Sequence, residues 1–385
     1  MNNKLTDILL PIIIFIIIII LIILILSIYL YFNNIENFIL NKKKFTIIPI
    51  KPIGCEIIGI DLIENNCKLD IELVKELEII MAKYGFILFR NQGSQQFESG
   101  ISGKYLTGEQ QINLSKNFGS KELYSTHSIH KEAPNRHIFR LSNNPKHGFN
   151  SVGPEWHNDG SFEKEVFGHV IYHIIKAPNG EGNTQFAHLG LAYKLLNKEL
   201  QERLENCASI NSHSGVIHPL IHNHPISNIK SLYLHLGMTG AIIEKNNKYT
   251  EKNLPKYIKD NDNRLKNIVC WKNNSMNSFF TYLNNLFNRN DISYSHKWKE
   301  GDIIIIDNLA IAHKATKGAH IIDNGLRILH RTTVHSNRML NPIKELQLED
   351  KLNIKENCPF ENGAIWDNSY VGYRWGNWKE RSIPH

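Results

Sequence analysis

The sequence predicts a mostly β fold with flanking helices, a double-sheet barrel or sandwich, preceded by one transmembrane helix. Three observations carry that expectation. Short apolar runs bounded by glycine, proline or polar residues recur along the chain, among them residues 86–89, 169–175 and 302–306. Few stretches place apolar residues at helical spacing, and no internal repeat is present. Finally, residues 8–26 form a run of 19 apolar residues.

That run, whose apolar character continues past Ser27 to Phe32, rises far enough as a helix to match a hydrocarbon core of about 30 Å. A helix apolar on every face suits a bilayer better than a soluble core. A cleaved signal peptide would have a shorter apolar region, a basic start and a small-residue cleavage site. Here the start carries only Lys4, with Asp7, whereas Lys42, Lys43 and Lys44 follow the run. The positive-inside rule then makes this a single-pass anchor with the large carboxy-terminal part in the cytosol.

From about Phe45 onward one domain is expected. Residues 48–62 read as strands joined by turns at Gly54 and Gly59, and residues 69–84 as a helix stopped by Gly85. Residues 86–89 are a buried strand, and the polar residues 91–104 a surface loop. Residues 169–175 and 302–306 read as buried strands, 192–204 as a helix, and the Lys- and Asn-rich 244–268 as a solvated insertion. The expected organisation is an anchor and basic flank (1–44), one domain (45–338) and an aromatic extension (339–385) containing Trp366, Tyr373, Trp375 and Trp378.

Composition narrows the function classes. With 42% hydrophobic and 21% charged residues the chain can build a core. The net charge of +7 comes from scattered lysines with one tight basic run, not the stripe that a nucleic-acid binder gathers. Five cysteines, none in a CxxC pair, argue for reduced thiols rather than a zinc ribbon or disulfide framework.

The chemistry-bearing pattern begins with Trp156-His157-Asn158-Asp159. In an extended segment positions i and i+2 share a face, so this imidazole and carboxylate can converge on one ion, although a His-x-Asp by itself is equally a surface hydrogen-bonded pair. The apolar run ending in His313 offers a third ligand; two histidines and a carboxylate on one face of Fe(II) leave three positions open. Arg327 follows 14 positions later and Arg331 four beyond it; a guanidinium grips a carboxylate with two parallel hydrogen bonds. The closely spaced His218, His222 and His224 are better explained as loop structure than as a second metal site.

Over most of residues 50–336 the chain resembles the taurine/2,4-dichlorophenoxyacetate dioxygenase (TauD/TfdA) family of Fe(II)/2-oxoglutarate-dependent oxygenases. The landmarks occur in order: residues 84–92, Asn117-Phe-Gly119, Trp156 to Asp159, 178–186, the His-Pro pairs at 218 and 224, and 298–331. The Gly-Gly pair of the family's Pro-x-x-Gly-Gly-x-Thr segment is Glu181-Gly182 here. The resemblance implies a double-stranded β-helix (jelly roll) with Fe(II) held by His157, Asp159 and His313, and 2-oxoglutarate bound by Arg327 with Thr184. O2 is the second cosubstrate. Arg331, Tyr124 and His127 would face a small, anionic prime substrate, which is oxidised, most simply hydroxylated, with release of succinate and CO2. A halogenating relative would lack the carboxylate ligand, and a nucleic-acid demethylase would space its arginines six apart. The alternative is an inactive, membrane-tethered barrel serving as a scaffold; it predicts a lost ligand or arginine, and none is lost.

Overall fold

The structure, a computed structural model, describes residues 17–28, 45–98, 100–125, 129–150, 152–212, 214–245, 268–271 and 273–344. It divides into two units, Met1–Ile47 with Ile57–Ile60, and Ile48–Glu56 with Asp61–His385. In the first, residues 17–28 form a helix (α1) whose isoleucines and leucines are exposed. No helix among the described residues is long and apolar enough to cross a membrane. The remainder of the apolar run lies outside the described residues, as do the aromatic extension from 345 onward and most of the Lys- and Asn-rich insertion.

The second unit is mostly β with some helices. Strands Thr46–Pro49 (β1) and Cys55–Ile58 (β2), whose residues are divided between the two units, precede helix Ile71–Tyr84 (α2). Asp70 caps α2 by accepting from the Glu72 backbone N–H, and Val74, Leu77, Ile80 and Met81 make its buried stripe. Gly85 ends it at φ 91, the left-handed region where an L side chain would be strained, and the chain turns directly into Phe86–Phe89 (β3). Ser94–Glu98 (β4) and Ile101–Tyr105 (β5) follow, then helix Gly108–Ser115 (α3), closed at its start by a Thr107/Gln110 capping box.

The barrel comes from strands Phe139–Ser142 (β6), Phe167–Lys176 (β7) and Thr184–His188 (β8), completed only after a long insertion. The insertion holds helices Leu189–Leu195 (α4) and Lys198–Leu204 (α5), strands Cys207–Asn211 (β9), Ile217–Pro219 (β10), Ile221–Asn223 (β11), Lys230–Leu232 (β12), Thr239–Lys245 (β13) and Ile268–Cys270 (β14), and helix Asn273–Phe287 (α6). Its apolar side chains build a second core around Leu220, Ile242 and Phe280, which Trp156, Ala187 and Ala312 join. The chain then returns with Ser293–His296 (β15), Ile303–Asp307 (β16), Ile311–Ala315 (β17) and Ile328–His335 (β18).

The barrel strands distribute between two sheets. One runs β1-β2-β3-β16-β7-β18-β6, antiparallel from β3 onward with β2 parallel to β3, the other β15-β8-β17, and an isolated antiparallel bridge joins His157 to His313 at the β17 edge. From β6 onward the chain therefore visits the larger sheet, the smaller (at His157), the larger (β7), the smaller (β8, β15), the larger (β16), the smaller (β17) and the larger (β18). That alternation is a double-stranded β-helix. Alternate side chains of each strand meet between the sheets: Phe86 and Leu88, Val170, Tyr172 and Ile174, Phe186, Ile304 and Ile306, and Leu329 form one buried cluster.

Two sequence expectations need correction. The polar stretch 91–104 is a hairpin, not a loop: β4 pairs with β5, and Ile101 and Tyr105 pack against Ile175 and Ile328. Its solvent-facing residues hid the period of two. The helix expected over 192–204 is two helices, because the Asn197 side chain accepts from the Leu200 N–H and starts α5 afresh, while the His188 ring caps α4. As expected, Cys55, Cys67, Cys207 and Cys270 are buried and free.

Phe86 is fully buried between the sheets, its ring 5.2 Å from that of Phe186. Phe86→Ala should therefore cost about 3–5 kcal/mol in denaturant unfolding; a loss near zero would mean that the sheets do not pack as described.

Candidate active site

A hydrogen-bonded strand pair sets the site's geometry. His157 N–H donates to the His313 carbonyl (3.0 Å), and His313 N–H donates to the His157 carbonyl (2.9 Å). Two residues 156 positions apart thus become cross-strand partners whose side chains stand side by side. Their rings lie 4.1 Å apart between centroids. Asp159, two residues along the same segment, brings its carboxylate to both: Oδ1 is 3.8 Å from His157 Nε2, and Oδ2 is 3.8 Å from His313 Nε2.

Ligand atoms of these three residues all lie within 4.8 Å of one another, the one such His/Cys/Asp/Glu cluster among the described residues. The donor set fits a divalent iron. His157 Nδ1 is engaged by the Glu155 carbonyl at 2.7 Å, so its proton sits there and the Nε2 lone pair faces the cluster. Burial lowers the pKa of His157 and, further, of His313, on which the charges of His157 and Arg331 also act. Both imidazoles are therefore neutral and able to coordinate at neutral pH. Asp159 Oδ2 is buried without a hydrogen-bond partner among the described residues, an orphaned acceptor that a cation would satisfy.

Two buried asparagines hold the ligand segment. Asn308 accepts from the Asp159 N–H (3.0 Å) and donates to the carbonyls of Asp159 and Phe167 (both 2.9 Å). Asn158, between the ligands and fully buried, donates to the carbonyls of Asn308 and Ile311 and accepts from the Leu234 N–H. Neither was singled out from sequence; the signal for Asn308 was an asparagine just after the apolar run 303–306, and for Asn158 its place between the two ligands.

A cavity of ≈ 480 Å³, its open mouth included, adjoins the cluster and is lined by His157, His313, Tyr172, Thr184, Arg327 and Arg331 among others. Arg327 is 5% exposed and no acidic side chain among the described residues pairs with it. Its Nε donates to the Gly182 carbonyl (2.9 Å) and an Nη to Thr184 Oγ1 (3.3 Å). Burial pulls its pKa down to about 10, which leaves it cationic at neutral pH. A buried, uncompensated cation is costly, so the site calls for an anionic ligand. Thr184 Oγ1 also accepts from Trp298 Nε1 at 3.0 Å. With two donors already pointing at that oxygen, its own proton is directed elsewhere and available to a carboxylate. The Glu181-Gly182 substitution keeps the glycine where it matters: a Cβ on Gly182 would lie 3.3 Å from Arg327 Cδ and 2.5 Å from Pro178 Cγ.

Of the residues expected to face a prime substrate, Arg331 lines the cavity but also donates to Asp159 Oδ1 at 2.8 Å, so it steadies a ligand carboxylate. Tyr124 does not line the cavity; its half-buried ring packs with Phe167 (4.9 Å) and Phe162 (5.7 Å). His127 lies outside the described residues. His218, His222 and His224 do not converge as ligands: His224 Nε2 meets Asp307 Oδ2 at 2.8 Å, and His218 and His222 flank the Tyr233 ring. Sequence reasoning missed Tyr172, Trp298 and His235, whose ring lies 4.8 Å from that of His157.

Asp159→Ala should abolish stoichiometric Fe(II) binding, measured by elemental analysis of anaerobically loaded protein, and Asn308→Ala should weaken it about 10–100-fold. Unchanged metal content in Asp159→Ala would remove the cluster as a metal site.

Comparison with known proteins agrees with this geometry. The profile of the taurine catabolism dioxygenase TauD, TfdA family matches residues 46–333. The alpha-ketoglutarate-dependent sulfonate dioxygenase of Saccharomyces cerevisiae is 24% identical over 283 residues, covering 67% of this chain; the chain spans 59% of that relative's length. Among solved structures, a taurine dioxygenase from Burkholderia xenovorans superposes with a TM-score of 0.58 at 21% identity, covering 78% of this chain and 92% of its own. AAD-2 in complex with Mn(II) and N-oxalylglycine gives 0.55 at 20%, covering 77% and 100%. These structural likenesses establish the jelly-roll fold. The family match over residues 46–333 establishes that the chain belongs to the TauD/TfdA family of dioxygenases, which use Fe(II), 2-oxoglutarate and O2.

Proposed function

We propose that the protein hydroxylates an unactivated C–H bond of a small anionic substrate, a sulfonate being the first candidate because the yeast relative is a sulfonate dioxygenase. The observation that carries this reading is the buried Arg327, with no acidic partner among the described residues, lining one cavity with His157 and His313 of the ligand cluster. Fe(II) held there, with 2-oxoglutarate and O2, supplies the oxidation: one oxygen atom enters the substrate C–H bond, the other enters succinate, and CO2 leaves.

The chain's own residues position and shield. Arg327 and Thr184 hold the distal carboxylate of the keto-diacid and fix its reach toward the metal ligands. The apolar wall of Leu141, Phe149, Val152 and Leu329 keeps water from the reacting carbon. Arg331 supplies a second positive charge at the cavity, suited to a sulfonate or carboxylate. The scaffold alternative requires a lost ligand, and every ligand atom is in place.

The apolar run at residues 8–26 supports a further part of the proposal, that the protein is anchored to a membrane with its catalytic domain on the cytosolic side. A chain lacking residues 1–32 should appear in the soluble fraction, while the full chain resists extraction by carbonate and high salt; full release of the intact chain by carbonate would refute the anchor.

Succinate formation by the full chain, with Fe(II), 2-oxoglutarate, O2 and a panel of sulfonates and carboxylates, tests the activity. Substrate-dependent succinate is expected, with sulfonates ahead. Arg327→Ala should raise the KM for 2-oxoglutarate by about 100-fold. No succinate from any substrate, together with no iron binding, would overturn the reading.

A further inference from the structure

Tyr172 sits on an interior strand of the larger sheet, on the inward-facing row of β7, opposite Arg331 of β18 and Ile304 of β16. Its side chain lines the cavity beside Thr184, His313 and Arg327. The ring is pinned edge-on against His313, 5.4 Å between centroids, and lies 6.2 Å from Phe186. Its hydroxyl is buried and has no hydrogen-bond partner among the described residues. A buried hydroxyl without a partner destabilises the fold that contains it, so its presence needs an explanation. A phenol carries its proton at neutral pH and so is available as a donor. The charged groups that act on it are Asp159, Arg331 and Arg327, two cations against one anion. A fixed donor in such surroundings recognises a carboxylate.

We propose that Tyr172 is a positioning residue for the cosubstrate: its hydroxyl donates a hydrogen bond to a carboxylate oxygen of bound 2-oxoglutarate, a donor beside Arg327 and Thr184. This rests on the reading of the cavity as a 2-oxoglutarate site. The orphaned oxygen is then a pre-set part of the binding site, unpaired only until the ligand arrives.

Calorimetric titration of 2-oxoglutarate into the Mn(II)-loaded full chain and its Tyr172→Phe variant, without turnover, tests this. Tyr172→Phe should weaken 2-oxoglutarate binding about tenfold to a hundredfold, the effect of losing one hydrogen bond to a charged acceptor. Mn(II) affinity should be unchanged. The Tm of the ligand-free variant should equal or exceed that of the parent, because no partner is lost, whereas a packing role would lower it. The rise in Tm on adding 2-oxoglutarate should shrink. Equal 2-oxoglutarate affinity in parent and variant overturns the Tyr172 assignment alone; a parent that binds no 2-oxoglutarate overturns the cavity reading and the assignment with it. Should Tyr172→Phe fail to fold, Tyr172→Leu serves with the same expected loss and the same overturning result.

Discussion

The two backbone hydrogen bonds between His157 and His313 are the constraint on which the site depends. They turn a short segment that belongs to no strand into the outer neighbour of β17, and in doing so complete the smaller sheet. Because paired residues on adjacent antiparallel strands present their side chains on the same face, pairing these two places two imidazoles together without any further device. Asp159 joins them by the period of two within its own segment. A slip of one residue in this register would send both His157 and Asp159 to the opposite face.

The asparagines explain why the register does not slip. Asn308, at the turn between β16 and β17, bonds both the N–H and the carbonyl of Asp159, and Asn158 spans to the carbonyls of Asn308 and Ile311. The ligand segment is thus tied to the same turn that launches the strand carrying the third ligand. Polar groups buried this deeply are tolerable because each is satisfied, and in being satisfied they specify one arrangement. The cavity differs in kind. At and beside it, among the described residues, gather a guanidinium without an acidic partner, a phenol without a hydrogen-bond partner and, in the adjoining ligand cluster, an orphaned carboxylate oxygen. Concentrating these costs in one cavity makes sense only if ligands remove them.

Much of this was legible in the sequence. The His-x-Asp spacing, the apolar strand before His313 and the arginine four positions before Arg331 are local patterns, and ordered landmarks over most of residues 50–336 tied them to one family. The hairpin at β4 and β5 was not legible, because its alternation is written in Ile, Gly and Tyr on one strand and in exposed polar residues on the other. Nor was the break between α4 and α5, where a single capping asparagine outweighs continuous helical periodicity. Arg331 was legible as a site residue but not as a partner of Asp159, since that contact spans 172 positions.

By itself the sequence determined which side chains are available and how neighbours along one strand are oriented, because side-chain direction within an extended segment follows from backbone geometry alone. Only the tertiary structure decided that Tyr172 lines the cavity, that Trp298 donates to Thr184 Oγ1, and that Arg327 has no acidic partner among the described residues. Those facts depend on which strands become neighbours and in what register, and pairings between residues more than a hundred positions apart leave no trace in local pattern.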